Sequence, residues 1–71
     1  MSQAEIVAWM RANPGPHTAF DIAEGTGQTV KVVMTGMTRL RKWGDVTVVG
    51  LAARRSGRKT ATLYELAERL R

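Results

Sequence analysis

The run from Asp21 to Val46, DIAEGTGQTVKVVMTGMTRLRKWGDV, limits the possible folds more than any other part of the chain. Phe20, Ile22 and Ala23 give a short apolar segment, which Gly25-Thr26-Gly27 closes because glycine enters the left-handed region at little cost. Thr29 then stands where a helix cap belongs. Val33, Met37 and Leu40 follow at i, i+4 and i+7, the spacing of one buried helical stripe. Trp43 is expected to extend that stripe by a turn, and Gly44 to stop it. Beyond it, Val46-Thr47-Val48-Val49 is β-branched throughout and reads as a strand. The order is therefore short helix, turn, longer helix, turn, strand. It predicts one helix over about 19–25 and a second over about 30–43.

The flanking segments complete the pattern. Ser2 and Glu5 have capping-box spacing, and Ile6, Trp9 and Met10 lie on one helical side with Val7 beside them. A first helix over about 3–12 is predicted, ended by Asn13-Pro14-Gly15-Pro16. Thr18 is the expected cap of the second helix, with Asp21 three residues on. Thr60–Leu66 reads as the partner of the Val46 strand, so a hairpin is expected over about 46–66. Its tip would be the basic run Arg54-Arg55-Ser56-Gly57-Arg58-Lys59. Leu63, Leu66, Ala67 and Leu70 also fit a helical stripe, but the reading favoured is strand to about Leu66 and then a short tail. The whole is an α+β chain of 71 residues, read as a single domain over 1–71.

Charge is unevenly distributed. Residues 1–30 hold one base, Arg11, against Glu5, Asp21 and Glu24. Residues 31–59 hold eight bases, Lys31, Arg39, Arg41, Lys42, Arg54, Arg55, Arg58 and Lys59, against the single acid Asp45. A basic second half suits a polyanionic partner. With no cysteine, disulfides and thiolate metal sites are excluded. No signal peptide and no membrane-length apolar run is evident, so a cytoplasmic, nucleoid-associated protein is expected. One histidine and two serines give no credible catalytic triad, and Gly25-Thr26-Gly27 lacks the residues of a phosphate loop. The chain is expected not to be an enzyme, and to need no metal, cofactor or small-molecule ligand.

Asp21-Ile22-Ala23-Glu24, Thr26-Gly27, Thr29, Val33, Leu40, Gly44 and Val46, with Tyr64-Glu65-Leu66 after the basic loop, are similar to the core of winged helix-turn-helix regulators from bacteria and phages. The resemblance covers nearly the whole chain. It implies three helices followed by a two-stranded wing. It also implies a sequence-specific double-stranded DNA-binding transcriptional regulator, expected to be a repressor.

In that reading the third helix enters the major groove. With Val33, Met37 and Leu40 buried, its candidate contact residues are Gln28, Thr29, Val30, Lys31, Met34, Thr35, Thr38, Arg39, Arg41 and Lys42. Lysine can pair with guanine, glutamine with adenine, and Val30 or a threonine methyl can meet a thymine methyl. Arg54, Arg55, Ser56, Arg58 and Lys59 of the wing would lie on the backbone or in an adjacent groove. Gly36, unfavourable in mid-helix by about 1 kcal/mol, marks a close approach either of another helix or of DNA. The sequence departs from such regulators in placing Val30, Val32, Met34 and Gly36 where a strong polar reader is usual.

A homodimer or cooperative array is expected, with helix 1 and the C-terminal tail as its candidate surfaces. Two alternatives stand beside this reading. One is an architectural, excision or replication factor of a phage or mobile element. The other is a winged-helix protein-interaction module that inhibits a host factor. Binding to RNA is disfavoured by the lack of an aromatic stacking platform.

Overall fold

The computed structural model describes residues 3–53 and 60–71. Three helices come first, α1 (Gln3–Ala12), α2 (Ala19–Thr26) and α3 (Val30–Lys42), followed by the antiparallel strands β1 (Val46–Ala53) and β2 (Thr60–Leu66). A single 3₁₀ turn, Glu68–Leu70, follows β2. This is the α+β layout of a winged helix.

Local chemistry explains where the helices start and stop. At α2 the Thr18 hydroxyl accepts from the Asp21 amide at 3.1 Å, and the Asp21 carboxylate accepts from the Thr18 amide at 3.1 Å. Two amides that the helix cannot satisfy are thus satisfied reciprocally. At α3 the Thr29 hydroxyl accepts from the Val32 amide at 3.2 Å. Gly27 ends α2 at φ 75° and Gly44 follows α3 at φ 76°, both in the left-handed region. After α3 the Gly44 amide bonds the Arg41 carbonyl and the Asp45 amide bonds the Leu40 carbonyl, the paired bonds of a Schellman ending. The expected cap at Ser2 lies outside the described residues. Glu5, expected to reach back to it, accepts a hydrogen bond from Gln28.

One core joins all the main elements. Ile6 and Met10 of α1 meet Ile22 and Ala23 of α2, Val33, Met37 and Leu40 of α3, Val46 of β1, and Tyr64 and Leu66 of β2. Ile6, Ile22, Val33, Met37 and Leu40 are the largest fully buried side chains. Gly36 is explained by packing: a Cβ there would lie 2.7 Å from Ile6 Cδ1, so α1 crosses α3 at this point. Gly25 lies inside α2, where a Cβ would meet the Trp9 indole at 2.2 Å. Trp9 itself is half-buried against the core.

Trp43 departs from expectation. It is 59% exposed and lies just past the end of α3. Each residue advances about 100° around a helix. Trp43 therefore continues the flank of Gly36 rather than the Val33–Met37–Leu40 stripe. Gln3, the first described residue of α1, lines the same cleft as Gly36 and Arg39.

The hairpin pairs Val46 with Leu66, Thr47 with Glu65 and Val48 with Tyr64. The register then shifts, so that Gly50 faces Leu63 and Ala53 faces Thr60. Val49 is the extra residue, a bulge that bends the strand. The other edge of β2 is also engaged. The His17 amide donates to the Tyr64 carbonyl at 2.9 Å, and the Tyr64 amide donates to the His17 carbonyl at 2.7 Å. The segment between α1 and α2 thus acts as a one-residue third strand. Beyond β2, Arg69 pairs with Asp45 and Arg71 with Glu65, which fastens the tail over the base of the hairpin. No helix among the described residues is long and apolar enough to cross a membrane.

Candidate nucleic-acid interface

The core fixes which way α3 faces. Val33, Gly36, Met37 and Leu40 are turned inward, so Lys31, Met34, Thr35, Thr38, Arg39, Arg41 and Lys42 are exposed along the other side, with Thr29 exposed at its start. At 13 residues, α3 is roughly 20 Å long. Three of its cations, Arg39, Arg41 and Lys42, fall in the last turn, where positive charge also complements the helix dipole.

The hydroxyls on this face are already partly used. Thr35 Oγ1 donates to the Lys31 carbonyl at 3.1 Å and Thr38 Oγ1 donates to the Met34 carbonyl at 3.0 Å. Each hydroxyl spends its proton within the helix and keeps its acceptor lone pairs and its methyl group. The exposed surface therefore combines cations, acceptors and apolar groups: Lys31 and Arg39 beside Thr35 and Thr38, with Met34 53% and Val32 38% exposed. A cleft of about 320 Å³ separates the start of α1 from this side of α3, and Lys31, Val32, Thr35 and Arg39 form one of its walls.

Two expected contact residues are placed differently. Gln28 is 8% exposed and turned toward α1, where its Nε2 donates to Glu5 Oε2 at 3.0 Å. Its Oε1 is buried without a hydrogen-bond partner. A side chain held this way fastens the start of α3 to α1 and does not present its amide to a groove. Val30 is half-buried against the core, so only part of it faces outward. The start of α3 is drawn inward, Gln28 by its bond to Glu5 of α1 and Val30 by packing on the core. Arg54, Arg55, Ser56, Arg58 and Lys59 lie outside the described residues. In sequence they form the connection between Ala53 and Thr60.

His17, the sole histidine, has structural contacts on two sides. Its Nε2 lies 2.8 Å from the Asn13 carbonyl, and its ring meets Trp9 edge-on at 4.7 Å between centroids. The strand-like bridge that it makes with Tyr64 has no signature in the sequence, because one isolated backbone pairing leaves no alternation to read. Among the described residues no three histidine or acidic side chains gather as a metal site would require. Neither a scan against protein-family models nor a search of curated proteins finds a match to this chain.

Proposed function

We propose that the chain binds double-stranded DNA sequence-specifically and regulates transcription, with repression as the expected sign. The observation that supports this best is the outer face of α3. A helix held by its inner side on a three-helix core leaves Lys31, Thr35, Thr38 and Arg39 projecting together, at dimensions suited to a major groove. Lysine suits guanine O6 and N7, and the threonine methyls with Met34 suit thymine methyls. The cations of residues 54–59 supply phosphate contacts beside that groove. One α3 covers few base pairs, so two copies on paired half-sites are part of the proposal.

If about five of the cations engage phosphates, the salt slope is roughly −4.5, and affinity falls roughly 500-fold between 50 and 200 mM salt. Selection of bound sequences from a random duplex library is the decisive experiment. Lys31→Ala with Thr35→Ala should change the selected sequence. Arg55→Ala with Arg58→Ala should weaken all sequences alike and flatten the salt slope. If the wild-type chain fails to bind any duplex at about 50 mM salt, where phosphate contacts are strongest, the proposal fails.

Exposed Val32 and Met34 favour a second reading, in which the same face of α3 docks on a protein. Replacing Val32, which is not among the proposed DNA contacts, by glutamine separates the two. DNA binding through Lys31, Met34 and Arg39 should survive this change, whereas a protein contact built on the apolar pair should not.

A further inference from the structure

We infer that the free edge of β1 is a self-association surface, on which a second copy of this chain pairs its own β1 antiparallel. The inference adds a pairing surface to the DNA-binding proposal but does not depend on it. It starts from the sheet. β2 is engaged on both edges, by β1 on one side and by His17 on the other. β1 is paired on one edge only, so the backbone groups along its other edge have no strand partner among the described residues. Eight residues at about 3.3 Å each make that edge roughly 26 Å long.

Edge strands of stable monomers usually carry lysine, proline, an inward charge or a β-bulge to discourage pairing. β1, VTVVGLAA, has only the last of these, at Val49. It is the one described element without a charged residue: α1 holds Glu5 and Arg11, α2 holds Asp21 and Glu24, α3 holds four cations, β2 holds Glu65, and the last turn holds Glu68 and Arg69. That contrast bears on the occupant: in a chain of net charge +5, an uncharged strand is a place where two identical surfaces meet with little local repulsion. An antiparallel β1–β1 contact is such a surface, and it closes by a two-fold axis because each strand offers the other the same groups. It would form a continuous four-stranded sheet with β2 on each outer side.

Apolar side chains are concentrated in the same place. Val48, Val49 and Leu51 are 43%, 48% and 66% exposed, and Trp43 at 59% stands just before the strand. Tryptophan is one of the residue types enriched among those that carry binding energy. The surfaces expected from sequence fare worse. The exposed side of α1 carries Glu5 and Arg11, and the arginines of the tail are already paired within the chain. The bulge at Val49 bends β1 and shortens the stretch that can pair flush.

Sedimentation of the full chain without DNA tests this directly. The wild type should show a concentration-dependent dimer. Val49→Lys with Leu51→Lys, both at exposed positions, should raise the dissociation constant more than about tenfold while keeping the helical circular dichroism. Because the chain has no cysteine, a single-cysteine variant reports the contact independently of any folding effect of the lysines. Val49→Cys should cross-link into a dimer under mild oxidation, whereas Ala8→Cys, exposed on α1, should not. A wild type that stays monomeric at its highest soluble concentration would overturn the inference. So would a dimer unaffected by the two lysines, or one in which Ala8→Cys cross-links as well as Val49→Cys. A dimer that the lysines dissociate but that binds no DNA would sustain this inference and remove the DNA-binding proposal alone.

Discussion

Along its inner face α3 seals Val33, Gly36, Met37 and Leu40 against α1, α2 and the hairpin. Along its outer face, one or two residues away in sequence, Lys31, Met34, Thr35, Thr38 and Arg39 stand exposed. The fold specifies volume and shape at the inner positions and little more than helix-forming ability at the outer ones. Yet the outer face holds three residues with poor helix propensity, Val32, Thr35 and Thr38, where alanine or leucine would favour the helix by a few tenths of a kcal/mol each. Stability therefore does not explain the outer face. Its composition is what a contact surface would require, and the two faces can be perturbed separately.

The sharpest separation comes from Met37→Ala. The side chain is 1% exposed, and its loss should lower stability by about 2–5 kcal/mol, read as a shift in the urea midpoint. Gly36→Val comes next. Its first carbon alone would meet Ile6 at 2.7 Å, so forcing α1 away should cost about 1–3 kcal/mol. Gly36→Ala should cost less, because the gain of about 1 kcal/mol in helix propensity offsets part of the clash with a movable methyl end. Gln28→Met, which removes an unpartnered buried oxygen together with the bond to Glu5, should change stability by less than about 1 kcal/mol. Smallest of all should be Lys31→Ala with Thr35→Ala. Denaturation should place it within about 0.5 kcal/mol of wild type. If it unfolds the chain as Met37→Ala does, the distinction between the faces is wrong.

Sequence alone disclosed the features that depend on neighbours a few residues away. The caps at Thr18 and Thr29, the stop at Gly44 and the stripe of Val33, Met37 and Leu40 are local patterns, and each is present as expected, with the reciprocal bond from Asp21 added to the first. Features set by a distant element were not legible. Whether Gly36 faced a helix or a ligand depended on where α1 crosses. Gln28 looked like a reader because nothing nearby announces its bond to Glu5, 23 residues earlier. Trp43 looked buried because the stripe was extrapolated past Leu40, beyond the last turn of α3. The His17–Tyr64 bridge joins residues that no periodicity connects. The same limit applies to the candidate interface: the orientation of α3 followed from its own pattern, whereas the fate of its first residues depended on α1.

Only Trp43, Gly44 and Asp45 separate α3 from β1, and this short span is fixed on several sides. The Schellman bonds hold it to α3, the Ala67 amide bonds the Asp45 carbonyl at 2.8 Å, and Arg69 pairs with the Asp45 carboxylate. The helix and the hairpin base are consequently coupled like two prongs on one handle. If the chain binds DNA as proposed, a target that captured one prong would find the other already at a defined distance and angle, so the second contact would form at the high effective concentration of a short, stiff tether. Loosening that span, for instance by Asp45→Ala, should leave each prong intact and reduce the advantage of having both.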